Sequence, residues 1–192
     1  VPAPHYIRPP QAGLVHWFTA LADVSTAPLV IYDIPYRTGV QLQLETLLTL
    51  ASHPNIAGIK DCGGDAAKTH ALIADGRLQI LAGEDAQIFT TVAQGGVGAI
   101  AASAHLHTQA FVQVIAHLRG GNLALARECW KPLPKHIAAM YVQPNPACIK
   151  AALAREGTDV SISNSPADFG NFLVEDGKFW VKLVKAANVK IE

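Results

Sequence analysis

The chain has 192 residues, of which 50% are hydrophobic and 16% are charged, so it can build a sizeable core and is not wholly disordered. Its 15 basic and 15 acidic residues cancel to a formal net charge of zero. Such a balance gives no bulk field that would hold nucleic acid or an anionic membrane surface, and no apolar run approaches the roughly 18–20 residues that span a bilayer.

The cysteines and the first residue bear on the setting of the protein. Cys62, Cys129 and Cys148 are odd in number and far apart, which argues against a disulfide framework or a cysteine zinc site. Because no secretory signal opens the chain either, we expect a reducing, cytoplasmic setting. The chain begins with Val1, and Met140 is its only methionine, which predicts a processed chain or a fragment.

Four short apolar runs predict buried β-strands over residues 29–33, 56–60, 78–82 and 98–102. None of them alternates polar and apolar residues, as expected for strands that are covered on both faces of a parallel sheet. Helical patterns precede and separate these runs, over residues 11–22, 41–52, 66–74 and 86–94. Alternation of this kind is typical of an α/β fold.

The rest of the chain shows no further strand-and-helix unit. Prolines divide residues 109–155 into helices, and residues 158–170 have the composition of a linker. Four units suit half of a (β/α)₈ barrel or a small open sheet, since a whole barrel takes about 250 residues. We therefore predict a partial barrel with a helical extension over 1–155, and a tail over 156–192 with a weak hairpin pattern.

Lys60 is the sharpest candidate for chemistry. In a parallel α/β fold, ligands bind where strands end and helices begin, and Lys60 ends the second predicted strand. Burial of its stem would lower the pKa of its amine and leave a nucleophile able to attack a ketone. The alternative is a strand-end lysine whose ammonium simply reaches solvent.

The neighbouring strand ends offer partners for Lys60. Tyr32 ends the first strand and could move a proton beside an amine, although it could equally be a core aromatic. Arg37, in the loop that follows, carries a guanidinium group that can donate two parallel hydrogen bonds to a carboxylate. The alternative is that Arg37 forms an ion pair on the surface. Gly83 ends the third strand, together with Glu84 and Asp85.

Glycine and histidine motifs add little chemistry. Residues 95–98, Gly-Gly-Val-Gly, follow a helix and precede a strand, so we expect them to cap that helix at the opposite end of the sheet. Gly63 and Gly64 follow Lys60, at the end of the sheet where ligands bind. They would either let the backbone come close to a ligand or simply form a turn. His105 and His107 lack further ligands at a suitable spacing, so no metal site is expected.

These candidates belong to ordered motifs that together resemble one known family. Residues 32–39 read Tyr-Asp-Ile-Pro-Tyr-Arg-Thr-Gly, and residues 58–61 read Gly-Ile-Lys-Asp. With residues 4–9, 83–85 and 95–100, and with Pro144-Asn145-Pro146, they strongly resemble the dihydrodipicolinate synthase family of pyruvate-dependent aldolases, which includes N-acetylneuraminate lyase. The resemblance covers roughly residues 2–155 and places them in the C-terminal portion of a (β/α)₈ barrel. Asp33 and Tyr36 differ from the residues common in that family.

The resemblance implies a role for each candidate. Lys60 would form a covalent imine with pyruvate without any cofactor, and Tyr32 would relay protons to and from the adduct. Tyr6 would extend that relay into the site of a neighbouring subunit, which implies a homo-oligomer. Arg37 would bind the carboxylate of the aldehyde, which is L-aspartate 4-semialdehyde in lysine and diaminopimelate biosynthesis. Ile100 would contribute a backbone contact near the pyruvate carboxylate, and Gly83 would also contact substrate.

Two other functions remain open at this stage. The first is a related aldolase that acts on another keto acid or a sugar acid. The second is an inactive remnant that only folds or binds a partner, because strands that would precede Val1 are not in the sequence. On that ground we expect slow imine formation at best, and negligible condensation, from these 192 residues alone.

Overall fold

The computed structural model describes residues 1–156 and consists of a parallel sheet covered by helices. The strands are β1 (Leu29–Asp33), β2 (Ile56–Asp61), β3 (Gln79–Ala82) and β4 (Gly98–Ala99). They lie in the order β1-β2-β3-β4, and each pairs in parallel with the next. Four parallel strands with intervening helices confirm the predicted α/β fold, and the positions of the predicted strands are correct to within a few residues.

The helices follow the strands as the sequence pattern predicts. Their bounds are α1 (Gln11–Val24), α2 (Pro35–Thr38), α3 (Leu44–Leu50), α4 (Ala66–Asp75), α5 (Ile88–Ala93), α6 (Thr108–Arg119), α7 (Leu123–Trp130), α8 (Leu133–Met140) and α9 (Ala147–Arg155). The sheet and α1–α8 belong to one compact unit, Val1–Ala151. The predicted boundary at residue 155 stays a prediction, and the predicted hairpin lies outside the described residues.

One face of the sheet is fully buried and the other is only half-buried. Ile31 of β1, Ile59 of β2 and Ile80 of β3 join a core with α1, α3 and α4. A second core forms around Phe111 and Val114 of α6, together with α5 and α8. On the opposite face of β1 and β2, Tyr32 and Lys60 are half-buried, which leaves both side chains accessible to a ligand.

Two predicted elements are shorter than expected, for identifiable reasons. The helix predicted over 41–52 begins only at Leu44, because the Leu42 N–H donates to Asp33 and the Gln43 N–H donates to Gln11, which hold this segment extended. The strand predicted over 98–102 ends at Ala99, and the chain turns into a short 3₁₀ helix whose Ser103 donates to Asp85. In both places a long-range side-chain acceptor overrides the local apolar pattern.

The glycines between α5 and β4 cap the helix, as predicted. Gly95 has a φ of +112°, and the N–H groups of Gly95 and Gly96 donate to the Val92 and Thr91 carbonyls. Only glycine adopts that φ without strain. The cap lies before β4, at the end of the sheet away from Lys60, so these glycines support the fold and take no part in a site.

Among the helices of residues 1–156, none is long and apolar enough to cross a membrane. The same described residues contain no group of three or more His, Cys, Asp or Glu side chains arranged to hold a metal ion.

Candidate active site

Lys60 and Tyr32 meet at the carboxyl ends of β1 and β2. The two residues are direct partners in the parallel register of these strands. Residues that pair in this way point to the same face, and the Lys60 Nζ lies 4.3 Å from the centre of the Tyr32 ring. The structure therefore brings together the amine and the phenol that the sequence predicts at one end of the sheet.

A cavity of about 600 Å³ opens above this pair. Its walls come from the ends of β1–β3, from α2 and from the segment that follows α8. The lining residues are Tyr32, Ile34, Tyr36, Arg37, Lys60, Gly83, Glu84, Ala102, Tyr141, Val142, Gln143, Pro144 and Asn145. Four of the six candidate site residues, namely Lys60, Tyr32, Arg37 and Gly83, therefore share one cavity. This volume suits a small organic substrate.

Arg37 is presented to the cavity by a turn that the sequence encodes directly. Pro35 starts the short helix α2, and Gly39 ends it at a φ of +75°. Arg37 lies in the last turn of that helix and is exposed, with its guanidinium carbon 5.9 Å from the centre of the Tyr36 ring. Within residues 1–156 no carboxylate forms an ion pair with Arg37, so the surface ion pair considered from sequence is not found there.

Gly83 is required by close packing. A Cβ atom at this position would overlap the Cys62 sulfur and would lie 2.9 Å from the Asp61 carbonyl oxygen. The Gly83 N–H donates to that same carbonyl at 2.8 Å, which draws the two strand ends together. The glycine therefore allows β3 to approach β2 beside Lys60, and any larger residue would push the strand ends apart.

Tyr6 and Ile100 do not line this cavity. Tyr6 is 95% exposed and has a φ of +76°, in a turn before α1. Ile100 follows β4, is 46% exposed, and uses its N–H to donate to the Ala82 carbonyl at 3.0 Å. The roles that the resemblance implies for these two residues, one in a neighbouring subunit and one through the backbone, stay predictions.

Two further tyrosines contribute to the cavity wall, and each one donates to a carboxylate. The Tyr36 hydroxyl donates to Glu84 Oε1 at 3.1 Å, and the Tyr141 hydroxyl donates to Asp85 Oδ2 at 3.1 Å. Tyr141 was not anticipated from sequence, because it lies in a helical region that showed no motif of its own. The one feature of the sequence that could have pointed to Tyr141 is its position three residues before the Pro144-Asn145-Pro146 motif.

A buried ion pair lies under the site. Lys68 of α4 donates to Asp33 Oδ2 at 2.6 Å and to the Leu42 carbonyl at 3.1 Å, and both charged side chains are almost completely buried. A Cβ atom on Gly63 would lie 2.7 Å from the Lys68 Nζ. Of the two interpretations of Gly63 and Gly64, the structure favours the turn, since Gly63 makes room for this pair and Gly64 has a φ of +71°.

The phenols of the cavity hold their protons tightly. Burial, together with the neighbouring Cys62 and Glu84, raises the pKa of Tyr32 to about 12. Burial also raises the pKa of Tyr36 and of Tyr141, with the nearby carboxylates as a further cause. Tyr32 is therefore a phenol at neutral pH and can give a proton, while its conjugate base forms only beside a group that takes the proton up.

This arrangement predicts an alkaline titration. The pKa of each of these three tyrosines is higher in the folded chain than the ordinary value of about 10, so the unfolded chain loses these protons first. The stability that the three tyrosines contribute is complete below pH ~10 and is lost as the pH rises through the folded value, about 12 for Tyr32. We expect the tyrosinate absorbance of the folded chain to appear at a higher pH than that of the urea-unfolded chain. Coincident titration curves would contradict the raised pKa values of these tyrosines.

The dihydrodipicolinate synthetase family model matches residues 1–168 of the chain. Among curated relatives, the 4-hydroxy-tetrahydrodipicolinate synthase of Limosilactobacillus fermentum is 40% identical over 158 residues, which are 82% of this chain and 51% of the relative. The 4-hydroxy-tetrahydrodipicolinate synthase 2 of Clostridium acetobutylicum is 37% identical over 160 residues, or 82% and 56% of the two chains. The chain spans about half the length of these relatives.

A solved structure agrees with the sequence matches. The chloride-inhibited dihydrodipicolinate synthase from Acinetobacter baumannii, complexed with pyruvate, superposes with a TM-score of 0.80 at 29% identity. The match covers 88% of this chain and 61% of that one. The recognised resemblance is thereby confirmed at the level of family and fold. That these strands form the C-terminal half of such a barrel stays a prediction.

Proposed function

Because the chain belongs to the dihydrodipicolinate synthetase family, we propose that it carries the imine-forming site of a pyruvate-dependent carbon–carbon lyase. Its reaction is most like the condensation of pyruvate with L-aspartate 4-semialdehyde by 4-hydroxy-tetrahydrodipicolinate synthase. The observation that carries this proposal is the Lys60 amine held 4.3 Å above the Tyr32 ring, in a cavity shared with Arg37.

Each of these groups has a chemical task in the proposed reaction. The Lys60 amine attacks the ketone carbon of pyruvate, and the resulting carbinolamine loses water to form an imine. Tyr32 supplies and recovers the protons of these steps. Because its pKa is raised to about 12, Tyr32 gives up its proton only to a base beside it. Loss of a methyl proton converts the imine into an enamine, whose carbon attacks the aldehyde. Water then releases the product and regenerates the amine, so the cycle needs no added cofactor.

Arg37 is proposed to place the second substrate. Its guanidinium lies at the cavity rim, where a carboxylate could accept two parallel hydrogen bonds from it. A small aldehyde that bears a carboxylate fits this arrangement, and so does another keto acid or a sugar acid. The proposed homo-oligomer is supported by Tyr6, whose exposed ring in a left-handed turn is available to a neighbouring subunit.

Reductive trapping tests the proposed function directly. The chain is incubated with pyruvate and borohydride, and the mass of the intact protein and of its peptides is measured. We expect slow labelling that reaches one pyruvate-derived group per chain, located at Lys60. A chain that gains no such mass, or gains it evenly over its exposed lysines, would contradict the proposal and favour the folded or binding module.

Arg37→Ala should separate the two substrates. We expect unchanged trapping of pyruvate, because Arg37 serves the other substrate. The chain whose pyruvate imine has been reduced is called the pyruvate-fixed chain. We expect the pyruvate-fixed variant to bind L-homoserine, the alcohol that corresponds to L-aspartate 4-semialdehyde, about 10–100-fold more weakly than the pyruvate-fixed parent does. Loss of a charged hydrogen bond predicts a decrease of this size. Ligand-observed NMR titration measures this affinity. Equal affinity of both proteins for L-homoserine would remove Arg37 from the site.

A further inference from the structure

The hydrogen-bonding capacity of two tyrosines in the site cavity is fixed by the carboxylates beside them. Tyr141 donates its hydroxyl proton to Asp85, and Tyr36 donates its own to Glu84, both at 3.1 Å. A phenol has one proton to donate, and an ionised carboxylate can only accept. Once these protons are committed, the phenol oxygens retain only lone pairs. A ligand in the cavity therefore meets each of them as an acceptor.

Asp85 commits Tyr141 firmly because protein covers this carboxylate. Asp85 is 2% exposed, and its Oδ2 also accepts from the N–H and the hydroxyl of Ser103. His136 of α8 forms a hydrogen bond with the Ser103 carbonyl at 2.9 Å, which ties α8, the helix directly before Tyr141, to this cluster from a second point. Asp85 does not line the cavity, so a ligand reaches the Tyr141 oxygen and not the carboxylate behind it.

We propose that Tyr141, held by Asp85, is a specificity-determining residue that accepts a hydrogen bond from the second substrate. The substrate class is a carbonyl compound that carries both a carboxylate for Arg37 and a donor group, an ammonium or a hydroxyl, for Tyr141. This inference rests on the proposed function and deepens it. A substrate with hydrogen in place of the donor leaves the desolvated Tyr141 oxygen without a partner, which lowers its affinity.

The remaining polar groups of the cavity agree with this assignment. Glu84 and Tyr36 add acceptors to the cavity that Arg37 and Tyr141 line, while Arg37 contributes a guanidinium donor. Gln143 and Asn145 also line this cavity, and their amides can either donate or accept. A lining that combines several acceptors with the Arg37 guanidinium matches a molecule that carries both an anionic group and a hydrogen-bond donor. A simple aliphatic aldehyde acid has only the first of these features.

Three ligands that differ at one substituent test the role of Tyr141. L-Homoserine, 2,4-dihydroxybutanoate and 4-hydroxybutanoate carry an ammonium, a hydroxyl or a hydrogen on the carbon next to the carboxylate. Their dissociation constants are measured by NMR titration on the pyruvate-fixed chain. We expect a donor-bearing ligand to bind about 5–30-fold more tightly than 4-hydroxybutanoate. If only L-homoserine is preferred, Tyr141 accepts from an ammonium. If L-homoserine and 2,4-dihydroxybutanoate are both preferred, Tyr141 accepts from an ammonium or a hydroxyl. Equal affinity for all three, or no measurable binding of L-homoserine, would overturn the inference.

Two variants locate the preference in Tyr141. Tyr141→Phe keeps the ring and should reduce the preference by about 5-fold. Asp85→Asn should retain it, because Asp85 Oδ1 has no partner within residues 1–156, so the amide oxygen can take the place of Oδ2. An undiminished preference in Tyr141→Phe would overturn the inference. If the parent chain does not fix pyruvate, the proposed function has failed, and the same titrations on the unmodified chain decide the role of Tyr141 separately.

Discussion

Replacing Lys60 by alanine is expected to abolish reductive trapping of pyruvate. The reason is geometric, because Lys60 provides the amine at the rim of the cavity, over the Tyr32 ring. Among residues 1–156, Lys68 also lies near the site, but it is buried and paired with Asp33. We expect the rate of labelling to fall by about 100-fold or more, to the slow background of exposed amines. Mass spectrometry of the borohydride-reduced chain measures this rate.

A matched lysine elsewhere makes the result specific. Lys135 is exposed on α8 and does not line the cavity, so Lys135→Ala should be trapped like the parent chain. Circular dichroism of all three proteins shows whether each variant is folded. If Lys60→Ala keeps the stoichiometry of the parent, another lysine is the nucleophile, and both the imine assignment and the role of Tyr32 are wrong.

The sheet could be predicted from sequence because its strands carry their signal locally. Apolar runs such as residues 56–59 mark the strands, and a parallel sheet places all of their carboxyl ends on one rim. That rule alone put Tyr32 beside Lys60, and the register confirms it. Element ends were less predictable. The end of β4 and the start of α3 depend on Asp85 and Asp33, whose hydrogen-bond partners are distant in sequence.

The site could be predicted only where its residues belong to strand ends or to motifs. Arg37 and Gly83 follow strands and were found in this way. Tyr141 lies 56 residues from Asp85, and nothing in its own neighbourhood indicates that its hydroxyl is bound there. A hydrogen bond of this kind depends on how α8 packs over the end of β3, which no local pattern reports. Long-range polar pairs are thus the part of the site that required the structure.

The Lys68–Asp33 pair is the second such case, and Lys68→Met is expected to destabilise the fold severely. Asp33 has no exposed surface, and burial already raises the pKa of its carboxyl against the opposing effect of Lys68. Without Lys68, the buried Asp33 carboxylate keeps the Leu42 N–H as its one hydrogen-bond donor within residues 1–156. Removing one partner of a buried ion pair costs about 3–5 kcal/mol. Urea denaturation at neutral pH measures this loss in the free energy of unfolding.

Two controls separate the charge from the packing. In the double variant Asp33→Asn, Lys68→Met, no buried charge remains, so most of the lost stability should return. Arg77→Met breaks the exposed Arg77–Asp75 pair and should leave the denaturation midpoint almost unchanged.

The loss caused by Lys68→Met should also depend on pH in a defined direction. Because the raised pKa of Asp33 rises further without Lys68, the folded variant binds a proton more strongly than the unfolded chain does. The variant should therefore approach the parent in stability at pH values below the ordinary aspartate pKa of ~4, where Asp33 is neutral in both states. The gap should then widen as the pH rises. A loss that is the same at acid and neutral pH would show that Lys68 contributes through packing and not through its charge.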